Sequence, residues 1–237
     1  MKIRIFFLFL FAIFTVSCAT MPSEKDEHQS TAHYRLGVSY LNEKKVQQAF
    51  VEFHKALELN PNDKEVLNAI GITYLLHLDN IPKSIEYFER AVKIAPNYSE
   101  AYNNLGYAND KSGNYEAAIT FYKKAIANPL YATVEKAYFN MGNSYYRLGK
   151  YDAALASFKE VINREPAFGP PFMRIALCYN RLGRYAEAAT AMDEAIRLDS
   201  AYNGNKEKAL EDFHLKQIKA IGNEEADIKD YIEILRY

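Results

Sequence analysis

The side chains able to do chemistry are few, and their spacing does not bring them together. The five histidines, His28, His33, His54, His77 and His214, form neither an HExxH helix face nor a ligand pair with cysteine, so no zinc-type site is expected. Cys178 sits among apolar residues in MRIALCY and reads as a small buried hydrophobe. No glycine-rich phosphate loop, GxSxG elbow or Ser/His/Asp arrangement occurs. The carboxylates scatter over expected solvent faces. The sequence therefore predicts no catalytic residue, no metal ligand and no cofactor. The 29 basic and 30 acidic side chains nearly cancel, to a formal charge of −1. Without a dense basic block, nucleic acid is not an expected partner, and nothing marks a small-molecule substrate site.

One residue keeps a chemical role. Lys2 and Arg4 precede an apolar run from Ile5 to Val16. That run is shorter than the roughly 20 residues a bilayer span needs, but it suits the central region of a signal peptide. It leads through Thr15-Val16-Ser17 into Cys18, which resembles a bacterial lipobox. The resemblance implies a signal peptide over 1–17 and acylation of Cys18 as the first mature residue. With Ala19 in place of an aspartate, it also implies delivery to the outer membrane, on its periplasmic face. Each buried CH₂ contributes about 0.8 kcal/mol, so two or three acyl chains anchor a protein stably where one does not. A plain secretory signal and an uncleaved anchor are the other readings of the same run. Residues 18–30, with Pro22 and many polar side chains, are expected to form a flexible tether.

The elements that follow are set by a repeat. Small residues recur in near-identical contexts at Gly37, Gly71, Gly106, Gly142 and Ala176, in steps of 34, 35, 36 and 34 residues. Two further series run in phase: Ala49, Ser84, Ala118, Ala154 and Ala188, and then Ala56, Ala91, Ala125, Val161 and Ala195. Pro61, Pro96 and Pro166 stand where a helix must end. Each half-repeat carries apolar residues at helical spacing. Gly113, Gly149 and Gly183 suit the left-handed position after a helix, and Pro82 suits the first position of one.

This pattern resembles the tetratricopeptide repeat. The first repeat matches it through His33, Leu36, Gly37, Tyr40, Ala49, Phe53, Ala56 and Pro61, and the fourth through Tyr138, Met141, Gly142, Tyr145, Ala154, Phe158, Val161 and Pro166. The resemblance implies an all-α fold, a right-handed superhelical solenoid of antiparallel helix pairs. It divides 30–202 into five repeats, 30–63, 64–98, 99–134, 135–168 and 169–202. Residues 203–237 keep helical patterning without the motif and are expected to form a degenerate sixth pair that caps the array. His33 falls on a core position of the repeat, so a packed histidine is expected there.

In such arrays the first helix of each pair lines a concave groove. Carried over to this chain, the groove positions of the first two repeats are Tyr34, Val38, Leu41, Ile72, Leu75 and Leu76, with Arg35 and Asn68. Those of the third and fourth include Asn103, Asn104, Tyr107, Phe139, Asn140, Asn143, Tyr146 and Arg147, and those of the fifth Met173, Arg174, Leu177, Asn180 and Arg181. The groove is thus expected to be apolar toward its N-terminal end and polar toward its C-terminal end. An apolar groove takes the hydrophobic face of a helix or an extended segment. Leu75 and Leu76 either line an open groove or pack against neighbouring helices. Asn104 and Asn140 either address a peptide backbone, offering donor and acceptor together, or are ordinary solvated side chains. The Lys/Asn/Arg clamp that holds a carboxylate tail in some members is incomplete here.

The combination of a lipoprotein-like start with about six helix pairs is similar to the type IV pilus biogenesis lipoproteins, the pilotins. The stretch carrying the resemblance is 97–155, where the lengthened third junction holds Leu130-Tyr131. It implies a secretin subunit as protein partner and a role in secretin localisation and assembly at the outer membrane. A general periplasmic adaptor in another envelope assembly or secretion complex is the alternative.

Overall fold

The computed structural model describes residues 22–237. The signal peptide expected over 1–17 and the acylation site expected at Cys18 lie outside the described residues. Within them, every regular element is an α-helix: α1 (Glu24–Asn42), α2 (Val46–Leu59), α3 (Lys64–Leu76), α4 (Ile81–Ile94), α5 (Ser99–Lys111), α6 (Tyr115–Ile126), α7 (Val134–Arg147), α8 (Tyr151–Arg164), α9 (Pro170–Arg181), α10 (Tyr185–Leu198), α11 (Lys206–Gln217) and α12 (Asn223–Ile234). The first ten pack as consecutive pairs, and the second helix of each pair leans on the first helix of the next. The fold is an all-helical tetratricopeptide-type solenoid.

The pairs close because one position in the first helix has no side chain. A Cβ built on Gly37, Gly71, Gly106 or Gly142 would meet the ring of Phe53, Phe88, Tyr122 or Phe158 at 2.6 Å. Each ring is fully buried, so the aromatic of the second helix lies directly on the backbone of the first. Ala176 and Met192 take these places in the fifth pair, both fully buried.

The turns follow from the same residues. Gly149, at φ +70, ends α7 with its N–H donating to the Tyr146 carbonyl at 2.9 Å, and the Lys150 N–H donates to the Tyr145 carbonyl at 2.9 Å. This is the paired closure a left-handed residue permits. In the first two turns the left-handed residues are Lys44 (φ 60) and Asp79 (φ 48). Asp63 caps α3, its carboxylate accepting from the Glu65 and Val66 N–H groups at 2.9 and 3.0 Å. Asn80 caps α4, which places Pro82 second in the helix rather than first. In the lengthened third junction Tyr131 is buried while Leu130 stays 88% exposed.

Two expectations are corrected. The tether expected over 18–30 gives way to helix at Glu24, because Ser23 and Asp26 form a reciprocal capping box that satisfies two otherwise unpaired N–H groups. Ser30 is buried, its hydroxyl donating to the Ala56 carbonyl of α2 at 2.9 Å. The second is one of orientation: 203–237 form two helices packed on each other at the end of the array, and it is α12, rather than α11, that reaches back to α9.

Candidate functional site

An open cavity of about 570 Å³ lies on the inner side of the array. From α3 it is lined by Ile72, Leu75 and Leu76, from α5 by Asn103, Asn104 and Tyr107, and from α7 by Glu135, Lys136, Phe139 and Asn140. Val161 and Glu165 close one side with Phe168, which stands in the turn between α8 and α9. Repeats two to four thus meet across the groove.

The apolar wall has two kinds of residue. Ile72 and Leu75 are half-buried and pack on the cluster of Phe88, Leu105 and Ala108. Leu76 is 59% exposed. The two readings of this pair therefore divide: Leu75 packs as well as lines, whereas Leu76 presents most of its side chain to solvent. Opposite, Phe139 and Phe168 set their rings edge to face at 6.1 Å.

Across the groove floor the asparagines form a ladder between helices. The Asn104 amide donates to the Asn68 carbonyl oxygen at 2.9 Å, joining α5 to α3. The Asn140 amide donates to the Asn103 oxygen at 3.3 Å, joining α7 to α5. The Ser144 hydroxyl donates to Asp110 further along the same two helices. Burial pushes the Asp110 carboxyl up against this bond, which acts to lower it. Asn104 and Asn140 are each half-buried and spend an amide on the ladder. Both residues line the cavity, and their side-chain oxygens accept no hydrogen bond from the described residues.

The N-terminal end differs from expectation. Tyr34, Val38 and Leu41 do not line the cavity. Tyr34 stands half-buried with its ring 6.0 Å from that of Phe53, and Leu41 packs on the same N-terminal core. Val38 is exposed. Asn68 is buried beneath the ladder. The apolar opening sits mid-array, where α3, α5 and α7 line it together with Phe168 of the α8–α9 turn. His33 is not simply packed: its Nδ1 lies 2.6 Å from the Glu52 carboxylate, which also accepts from Lys55.

The C-terminal end is polar as expected but occupied. Arg147, Arg174 and Arg181 pair with carboxylates of α12, and the Tyr237 hydroxyl donates to Asn180 at 2.7 Å. Tyr146 and Leu177 are core residues. Cys178 is fully buried, and burial pushes its thiol up to about 12, where it is inert as a nucleophile. No group of three His, Cys, Asp or Glu side chains suited to a metal occurs among the described residues.

Sequence reasoning did not place Glu135, Lys136, Val161, Glu165 or Phe168 at the site. Phe168 carried a signal: a large aromatic in the short turn Glu165-Pro166-Ala167-Phe168-Gly169, which has no helix face of its own to bury.

Models of the tetratricopeptide repeat match residues 30–63, 65–129 and 139–212. Among curated proteins, the tetratricopeptide repeat domain-containing protein PYG7 of Arabidopsis thaliana chloroplasts is 37% identical over 62 residues, 26% of this chain. The match spans only 20% of that protein's length. The solved structure of the MamA protein is 26% identical, covers 75% of this chain and 96% of its own, and superposes with a TM-score of 0.64. PilW, described as a widely conserved type IV pilus biogenesis factor, superposes at 0.70 over 86% of this chain and 90% of its own, at 20% identity. At that identity the likeness is one of fold.

Proposed function

The chain belongs to the tetratricopeptide-repeat family, a scaffold for binding protein partners, and from that premise we propose that it is a pilotin. In this reading Cys18 is acylated and holds the chain at the periplasmic face of the outer membrane. The cavity between α3, α5 and α7 holds a segment of a secretin subunit during pilus assembly. The cavity carries the reading. It joins an apolar wall at Ile72, Leu75 and Leu76 to the polar side chains of Asn104 and Asn140, which is what an amphipathic or extended segment needs. The lipobox-like start, the Leu130-Tyr131 junction and the shared architecture with PilW over most of both chains support the pilus assignment.

Covering about 400 Å² of apolar surface is worth about 10 kcal/mol gross at about 25 cal/mol/Å². Association and ordering remove much of that, so an affinity on the order of micromolar is expected. The test uses Leu76→Glu combined with Tyr107→Ala in the full-length chain. Leu76 is the wall residue least involved in the core, so the array should keep its helicity and its unfolding midpoint. Secretin multimers in the membrane fraction should be lost, and the secretin should no longer co-purify with the chain. Normal multimers and normal pili in that variant would reject the cavity as the secretin site.

A further inference from the structure

Beyond the open cavity, the inner face of α7 and α9 already holds a ligand-like segment of this chain. Asp227 of α12 is buried there between two guanidinium groups. Arg147 donates to its two carboxylate oxygens at 3.0 and 2.6 Å, and Arg174 donates to Oδ2 at 2.7 Å. One turn further on, Asp230 meets Arg181 at 2.7 Å. On the same helix Ile228, Tyr231 and Ile232 are buried. The result is an amphipathic acidic helix seated by bidentate arginine chemistry, the geometry by which guanidinium groups select carboxylates.

Two observations separate this from an ordinary cap. First, the three arginines stand on inner positions of the first helices, where the repeat needs only a polar residue. At the equivalent positions α3 carries Ala69 and Leu76 and α5 carries Asn104 and Lys111, so neither gathers more than one cation. Building helix pairs does not require a cluster of three cations, but recognising an acidic ligand does. Second, the segment joining α11 to α12 touches the core only through Ala220. Ile218 and Ile221 are 79% and 81% exposed, and Gly222 sits at φ 60, ψ −126, a conformation open to glycine.

We propose that the inner face of α7 and α9 is a second protein-binding surface, selective for an acidic amphipathic helix with carboxylates one turn apart, and that α12 occupies it in cis until such a partner helix replaces it. This surface is separate from the cavity of α3, α5 and α7, and it does not depend on the pilotin reading. A segment tethered by so short a linker acts at an effective concentration in the millimolar range. A free helix therefore binds the intact chain weakly, because only the fraction with α12 displaced is competent.

The probe is the synthetic peptide of residues 223–237, fluorescently labelled and titrated into full-length protein. Asp227→Asn weakens the resident helix while leaving all three arginines in place. It should bind the peptide at least about tenfold more tightly than the unaltered chain does, in line with the larger competent fraction. Adding Arg147→Ala and Arg174→Ala to that variant should abolish binding. Equal affinity of the unaltered and Asp227→Asn chains would overturn the proposal. So would binding that survives loss of both arginines, or no binding by a folded Asp227→Asn chain. Should Asp227→Asn fail to fold, amide exchange in the unaltered chain decides. Amides of α12 exchanging at least about tenfold faster than those of α9 support a displaceable helix, and matched rates make α12 a fixed cap and overturn it.

Discussion

His54 shows how one half-buried side chain writes a pH dependence into the array. It lies on α2 with its ring 4.4 Å from that of Phe50 and 6.4 Å from that of Tyr87. Its Nε2 is buried with no hydrogen-bond partner among the described residues. Burial holds the imidazole below its usual 6.5, with Glu58 pulling it back up and Arg90 pushing it further down. The unfolded chain thus takes up a proton near pH 6.5 that the folded chain refuses. The stability contributed by neutral His54 is complete above 6.5 and is lost as the pH falls from there toward the lower folded value. Denaturant titrations between about pH 7 and 5 should show this decline, and His54→Phe should flatten it. The same slope in the variant would assign the decline to other groups. Glu52 works in a different window. Hydrogen bonds from Lys55 and His33 hold its carboxyl below the usual 4.5, so its contribution is present above that value and fades only in more acidic solution.

Helix pairs cross closely here because a glycine backbone meets an aromatic ring, and the fifth pair tests that rule by breaking it. There the first helix carries Ala176 and the second Met192, both fully buried. An extra Cβ is tolerated because a flexible thioether replaces the rigid ring. Met192→Phe alone should overpack the crossing and cost about 1–3 kcal/mol. Combined with Ala176→Gly, it recreates the arrangement of the other four pairs and should recover much of that loss, less about 1 kcal/mol for glycine in a helix. A double-mutant cycle by urea unfolding measures the coupling, and additive losses would show that the two positions do not share the crossing. The same pairing explains what was legible in the sequence. The small-residue series, the aromatics and the turn glycines each act within a single repeat, so spacing located the helix pairs, while the groove positions came from the resemblance to the repeat family. The start of α1 carried a local sign in Ser23 and Asp26, outweighed by the polar composition around it. The place of α12 had no local sign. It depends on Arg147 and Arg174 meeting Asp227, 80 and 53 residues apart, and no periodicity encodes such a meeting. The cavity's shift from the first repeat to the middle is of the same kind, since it needs α3, Phe139 and Phe168 to face one another across the curve of the array.

As a whole, the molecule has no single core but several buried clusters in series. Phe53 belongs to one built from the first two pairs with Tyr98 and Ala101 at the start of α5, and Phe158 to one shared by α7 through α12. Helices pack only on near neighbours, so stability is a sum of repeat terms and interfaces between them. The C-terminal cluster is the exception to this linear order, because α12 ties α7 and α9 together through Asp227. Damage should therefore spread differently from the two ends. Phe53→Ala removes a ring worth about 3–5 kcal/mol in a packed core, and its effect should stay local. Amide exchange should rise in α1 and α2 and keep its original rate in α7 to α10. Phe158→Ala carries a similar local cost, yet it should loosen α7 through α12 as one block, because α12 bridges the helices it would otherwise leave independent. Hydrogen exchange read by mass spectrometry separates the cases. Uniform acceleration along the chain in either variant would mean that the array unfolds as one cooperative unit. Block loosening confined to Phe158→Ala would show that the acidic helix on the inner face, rather than the repeat stack alone, joins the last two repeats into one body.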